Sequence, residues 1–521
     1  MTLLRLSNLF LKLLAIVCLL SLLAGGYAAL PIVKGYFFTA RLHMLQVLRQ
    51  AGMGSGYMTE IITPQSLKAA DIVFPSPGSD DWQGHGARPD RIPQPLIFDT
   101  DGRPVPHSWT GSLEGSIQPE EKKREVIVNN GEELLTALLQ ALPGDVITLQ
   151  PGTYNFSRDK INVSAGGTVQ HPVIVRAEKL GQVFLELDAI EGFYIDSPYW
   201  AFENLDIAGT CESDDYCDHA FQIVGHGKGF VLRNSRIHEF NSPIKANAFT
   251  NGNVEKIHPD GILLEANSFY NARARRTSHP VTFIDVVGVN HVIVSNNLIA
   301  DFQKNGGDYI SYGAQIKGNS ASGVFEKNLV VCEYGITGGV RVGLSFGGGG
   351  TGEEFFRDKR TEFEHINGIA RNNIVMYCSD VGLYLNKAKG TKVLNNTFYE
   401  TTGIDVRFPE STALVVNNLV SGRIWDRNGG TSIRRNNIVS SVEGWPLNLR
   451  NGIQDLFVNP AAGNFAARAG HDKDIVDQGE ATGLVWEDFC GNARDPHPDI
   501  GAMEYGSDRE TCSLFGERGE K

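Results

Sequence analysis

The chain has 521 residues, 58 of them glycine and 27 phenylalanine, and a formal net charge of −13. That acidic balance leaves no basic face for nucleic acid, and many glycines with few long apolar helical patterns favour short strands and tight turns over a helical protein. The length exceeds most single cores, a limit that solenoids escape because each repeat contacts only its neighbours.

In chain order, residues 1–29 read as a signal. Arg5 and Lys12 lie near its start, followed by an apolar run over residues 13–24 and small residues ending in "YAA". This is the layout of a secretory signal, and the run is short for a membrane span. Residues 30–33 prolong the apolar stretch, so an uncleaved anchor attaching the chain to the inner membrane is the alternative. Either reading places the rest outside the cytoplasm, in the periplasm or beyond. Six cysteines remain after Cys18, an even number that suits an oxidising compartment. Cys211 and Cys217 bracket one loop, Cys490 and Cys512 lie in the tail, and stacked coils would bring Cys332 to Cys378; buried free thiols are the alternative for that pair.

Residues 30–124 read as an N-terminal arm: 35–60 has room for a short helix, and 62–124, rich in Pro, Gly, Asp and Gln, reads as an ordered arm or linker without its own core. "REVIVNNGEELLTALLQALPGDVITLQPGTYNF" then predicts a strand, a short amphipathic helix over 131–142 and a second strand, the cap that a solenoid's open end requires. Over 125–460 one pattern recurs: apolar alternation, an Asn, another apolar rung. The asparagines are Asn204, Asn234, Asn267, Asn297, Asn328, Asn373, Asn396, Asn418 and Asn437, with steps of 30, 33, 30, 31, 45, 23, 22 and 19 residues. A period near 22 with loop insertions predicts an all-β fold, a right-handed parallel β-helix. Asn suits a left-handed corner, stacked amides can bond from coil to coil, and the apolar residue that follows is expected to point inward. Residues 461–521 form a closing segment; its "DPHPD" reads as structure, not as a metal or acid–base cluster.

"GLSFGGGGTGEE" (343–354) lacks the Lys and Ser/Thr of a phosphate loop and reads as a glycine-rich loop leaving a coil. It belongs to the long interruption between Asn328 and Asn373, which also holds Glu362, Glu364 and His365 and is expected to wall a groove. No tandem aspartates of a glycoside hydrolase stand on a coil; Asp380 and Asp405 are isolated. Metal-binding Cys/His spacing is absent.

Cations on coils remain. "NKAKGTKVLNNTFYETTGIDVRF" (386–408) carries Lys387 and Arg407 about one coil apart. The stretch resembles the catalytic coils of the alginate lyase and chondroitinase B family, right-handed parallel β-helices in which a Lys follows one strand and an Arg ends a strand about one coil later. A looser version holds Lys317 and Arg341. The resemblance implies β-elimination on a uronate polymer, with the Lys as base and the Arg on the carboxylate or the leaving oxygen. The chemistry is coherent: C5 deprotonation needs a cation on the adjacent carboxylate, and a neighbouring Arg and partial burial ready a lysine for the work of a base. Residues one coil apart stack about 4.8 Å apart, so two of them can meet one sugar.

Both pairs stay open, with His365 or a tyrosine as acid and Tyr312, Gln315, Asn319 and Tyr334 as substrate-binding residues. Family members that use calcium hold it with acidic residues before the Lys, whereas here only Asp308 or Asp380 is in place; calcium is a conditional cofactor. The expected partner is an acidic polysaccharide met by a monomer. A C5-epimerase, or a non-catalytic glycan-binding or structural envelope protein, are the alternatives.

Overall fold

In the computed structural model the described residues are 124–506, apart from 164–165, 250–255, 349–350, 359–361, 441–452 and 461–462, together with residue 514 and a short antiparallel pair, Ile97–Phe98 with Pro104–Val105. The segment read as a signal, most of the expected arm and Cys512 lie outside them.

The cap forms where the sequence places it. Its helix, Gly131–Gln140, starts at Asn130, whose side chain accepts the N–H of Glu133 at 3.0 Å. The Glu133 carboxylate answers by accepting the N–H of Asn129 at 2.8 Å, so two otherwise orphaned donors are satisfied. Leu134, Ala137 and Leu138 are buried beneath it.

Beyond the cap the chain winds through three parallel sheets of 12, 11 and 8 strands, each coil visiting them in the same order. Such crossovers are right-handed, and the fold is a right-handed parallel β-helix. One continuous core runs inside it, from Val128 in the cap to Ile424 in the last coils.

The corner between the first and second sheets takes two residues. The first is in the left-handed region: Asn204, Asn234, Ala266, Asn296, Lys327, Asn372, Asn395, Asn417 and Asn436, all with φ between 48° and 61°. The second carries a ladder of amides. Asn267, Asn297, Asn328, Asn373, Asn396 and Asn418 each donate from Nδ2 to the Oδ1 of the next, at 2.9–3.1 Å, and the ladder ends at Asn437. The expectation thus merged two positions: Asn204 and Asn234 make the left-handed corner, whereas the later asparagines form the buried ladder.

The residue after each ladder Asn also departs from expectation. Leu298, Leu329, Ile374 and Leu419 face outward from the second sheet, and it is Ile299, Val330, Val375 and Val420 that enter the core. The outward leucines stay dry because the closing segment, with the residues just before it, lies over them: Leu456 and Phe457, then Phe465, Phe489, Ile500 and Met503, join a second apolar core. "DPHPD" belongs to this cover. Arg494 beside it is buried, bonded to Glu504 at 2.7 Å and to the Asn372 side chain at 2.9 Å.

Disulfides join Cys211 to Cys217 and Cys332 to Cys378, and Cys490 is also disulfide-bonded.

Candidate active site

The third sheet consists of β1 (Phe221–Val224), β2 (Ile244–Asn247), β3 (Val281–Val287), β4 (Ile310–Lys317), β5 (Val340–Phe346), β6 (Leu383–Asn386), β7 (Gly403–Arg407) and β8 (Arg423–Arg427). Ile284, Val286, Ala314, Ile316, Leu344, Phe346, Leu383, Leu385, Ile404 and Val406 point into the core. Alternation sends the residues between them to the outer face. One outward row therefore reads Gln222, Lys245, Asp285, Gln315, Ser345, Tyr384, Asp405, Trp425 across the eight strands. The second, at the strand ends, brings Lys317, Asn386, Arg407 and Arg427 to the same face.

Two polar groups occupy this face. In the first, Asp285 is shared by Lys245 and by Lys317, whose ammonium lies 3.5 Å from it and 3.0 Å from the Gln315 side-chain oxygen. Burial alone would raise the Asp285 carboxyl, yet the two lysines hold it below the ordinary carboxylate range. His219 borders the group, its Nδ1 2.8 Å from the Ser242 carbonyl, and burial pushes its imidazole below the usual value.

In the second group, Arg407 Nη1 donates to the Tyr384 hydroxyl at 2.8 Å and Asn386 Nδ2 donates to the same oxygen at 3.0 Å. Asp405 beside them is engaged by Arg427. Tyr384 also packs with Tyr312, Val342 and Val381, an apolar platform set next to the cations.

Lys387 follows β6 directly, in the left-handed region at φ 52°. Its N–H points to the Arg407 carbonyl at 3.4 Å, so the backbones of the two residues named from the motif adjoin on successive coils. Glu364 lies near both Lys317 and Lys387 and accepts the N–H of Gly318 at 2.8 Å. Burial pushes its carboxyl up to about 7, while the Gly318 hydrogen bond and the two lysines pull against that.

Glycines decide how the chain passes here. At Gly347, φ 76°, a Cβ would lie 1.9 Å from the Asn386 carbonyl, so the position in line with Lys317 bears no side chain. At Gly348 a Cβ would meet the Gln315 amide at 1.7 Å; the glycine-rich loop thus begins directly over Gln315. Farther on, Arg357 pairs with Asp260 at 2.6 Å and donates its backbone N–H to the Gly318 carbonyl at 3.0 Å. The Lys256 ammonium donates to the Phe356 carbonyl at 2.6 Å. Two insertions from different coils therefore build one wall beside the strand ends.

Not every expected site residue reaches this face. Arg341 is fully buried, with Nε on the Gly338 carbonyl at 2.9 Å, Nη2 on Gln303 Oε1 at 2.7 Å and Nη1 on the Cys332 carbonyl. Its strand changes phase at Gly313 and Gly343, which have no rung between Tyr312–Val342 and Ala314–Leu344. A Cβ on Gly343 would lie 2.5 Å from the Gly382 carbonyl, so the coils approach too closely there for side chains. Past that point Tyr312 and Val342 turn outward and Arg341 turns in. It is a structural arginine, not the partner of Lys317.

His365 is likewise a core histidine. It packs on Phe346 with ring centroids 4.4 Å apart, its Nε2 accepts the Gly323 N–H at 3.2 Å, and burial drives its imidazole down to about 3. Tyr334 packs against the second apolar core, on the other side of the coil. Asn319 makes a turn at φ 63°, its amide donating to Asp358. Tyr312 and Gln315 do lie on the outer face.

A calcium site does not fit these residues. Among the described residues no three His, Cys, Asp or Glu side chains converge on one point, and both outward aspartates of the third sheet are engaged by cations.

In sequence, residues 128–195 match the Chondroitinase B family, while no curated protein matches the chain. Three solved structures wind similarly. The pectate lyase Pel9A shares 14% identity at a TM-score of 0.48, over 74% of this chain and 97% of that one. The alginate lyase of Paenibacillus sp. str. FPU-7 shares 16% at 0.38, over 61% and 99%. The PL6 family polysaccharide lyase Pedsa3628 of Pseudopedobacter saltans shares 15% at 0.32, over 63% and 96%. The chain is similar to polysaccharide lyases of the parallel β-helix kind.

Proposed function

We propose that the protein is an exported lyase that cleaves a uronate-containing polysaccharide by β-elimination, with Lys387 as base and Arg407 as the cation on the uronate carboxylate. The observation that carries this reading is that Lys387 and Arg407 stand on adjacent coils, backbone against backbone, at one edge of the third sheet. Lys387 has no carboxylate at ion-pair distance among the described residues, whereas Lys317 is tied to Asp285 at 3.5 Å. An ammonium bound to a carboxylate already has that partner, so the lysine without one is the better candidate to meet a substrate.

The steps follow from the face. The platform of Tyr312, Val342, Val381 and Tyr384 takes the apolar side of a sugar. Arg407, which spends one N–H on Tyr384, has further N–H groups for the uronate carboxylate. With that charge neutralised, Lys387 removes the C5 proton and the developing negative charge spreads into the carboxylate. Lys245 and Lys317 add positive charge on a face of a chain that carries −13 overall, which suits an acidic polymer locally. Formation of three disulfides agrees with an oxidising, extracytoplasmic location.

The test is absorbance of unsaturated uronate while the protein acts on alginate, chondroitin and dermatan sulfates, pectate and glucuronan, with and without calcium. We expect a rising signal on one class, and a loss of about 10²–10⁴-fold in Lys387→Ala with the fold intact. A flat trace from folded protein across the panel overturns the lyase reading. Exchange of the C5 hydrogen with solvent in that sample would assign an epimerase instead.

A further inference from the structure

The Tyr384 hydroxyl is an unusual group on this face. Its oxygen receives two N–H donors, Arg407 Nη1 at 2.8 Å and Asn386 Nδ2 at 3.0 Å. A phenol oxygen has two lone pairs and one hydrogen, so with both pairs claimed the hydrogen is its only remaining valence. Two donors, one of them a guanidinium, also hold in place the negative charge that would remain if that hydrogen left.

We propose that Tyr384 is the proton donor to the leaving glycosidic oxygen, an inference that rests on the lyase reading above. Elimination at a uronate needs this partner. Lys387 takes the C5 proton, the C5–H electrons form the C4–C5 double bond, and the C4–O bond breaks. The phenol hydrogen passes to the departing oxygen, which leaves as a hydroxyl, while Arg407 and Asn386 hold the phenolate. A proton returns to the phenolate from the Lys387 ammonium by way of water, and both groups are restored. Arg407 and Asn386 act on this step as positioning residues, through Tyr384.

The surroundings suit a donor. Burial raises the Tyr384 phenol above its ordinary value, Arg407 lowers it and Asp405 raises it again, so the hydroxyl is protonated at neutral pH. The charged and polar groups that face it are Asn386 on its own strand, Ser345 on β5, and Asp405 and Arg407 on β7; Arg427 on β8 is bound to Asp405. The platform residues Tyr312, Val342 and Val381 cover its ring and contribute no charge.

The experiment measures kcat, KM and their pH profiles on the polymer that the wild-type protein cleaves. Tyr384→Phe removes one oxygen from a packed ring. Its kcat is expected to fall about 10²–10⁴-fold, with KM little changed and the alkaline limb of the kcat profile lost, since that limb reports the acid. Asn386→Ala removes one donor from the phenolate, and the alkaline limb is expected to move to higher pH. If wild type is active and Tyr384→Phe keeps its kcat with the limb in place, the role of Tyr384 is overturned and the lyase reading stands. If Tyr384→Phe does not fold, Asn386→Ala decides: an unmoved limb overturns the proposal. If wild-type protein gives no unsaturated product on any polymer, the lyase reading itself falls and this inference falls with it.

Discussion

Replacing Arg341 with Ala tests the division of the arginines into a structural and a functional one. The guanidinium is fully buried, bonded to three acceptors and 3.9 Å from Asp301. Removing one member of a buried charge pair costs about 3–5 kcal/mol, because the other charge stays behind without compensation. Asp301 makes the cost depend on pH. Burial already pushes its carboxyl up to about 6, against the pull of Arg341 and of the backbone N–H groups of Ile336, Gly335 and Tyr334. A carboxyl raised in the folded state binds its proton more tightly there than in the unfolded chain. Stability therefore falls as pH rises through that interval. Without Arg341 the carboxyl rises further and the fall continues to higher pH. The substitution should thus cost more at pH 8 than at pH 5, by about 1.4 kcal/mol for each unit that Asp301 gains. Guanidinium midpoints of both proteins at the two pH values, read with the slope m, measure this difference directly. A loss below about 1 kcal/mol at pH 8, or one equal at both pH values, would refute the reasoning from burial and charge.

Two further substitutions probe the scaffold. Asn373→Ala removes the only amide that receives the backbone N–H of Asn328, and also the donor to the Phe325 carbonyl at 2.8 Å. It should cost about 2–4 kcal/mol by denaturation, and more than Asn437→Ala at the partly exposed last rung. Glu364→Gln keeps an acceptor for the Gly318 N–H but removes a carboxyl raised to about 7. Ionising that carboxyl costs the wild-type fold stability as pH rises from the unfolded value towards 7 and above. The variant should therefore gain on wild type by about 1–3 kcal/mol at pH 8 relative to pH 5, as read from thermal or denaturant midpoints; an equal difference at both pH values counts against a buried carboxyl there.

The architecture was legible because an asparagine, doubled on five of the coils, marks each turn, and an Asn ladder demands one rung per turn. Lys387 and Arg407 were legible because their coils follow one another with no insertion, so distance in sequence equals one step in space. Lys245 and Asp285 are also one step apart in the sheet, yet 40 residues separate them in the chain. The loops between them hid that row; a register counted back from the Asn ladder would have found it. Tyr384 and Asn386 stand beside Lys387 and escaped notice because alternation was read for the core and not for the outer face. Arg341 failed for a local reason. The stacked glycines at 313, 343 and 382 reverse the phase of a strand, and nothing in a two-residue period announces that. His365 looked available because it follows a polar insertion, although its short strand faces the core.

The closing segment changes what kind of object this solenoid is. Its residues between Glu480 and Glu504 bond to Lys327, Arg371, Asn372, Asn395, Asn417 and Arg435, which stand on five different coils. Stacked repeats ordinarily unzip from an end, each coil answering only to the next. Here one segment spans five successive coils and ties the first of them to the last, so these coils are expected to melt together. The coils that carry Lys317 through Arg427 are thereby braced from outside as well as by their own stacking, and a chain cut before this clasp is expected to fray from its last coils, as proteolysis of the shortened protein would read.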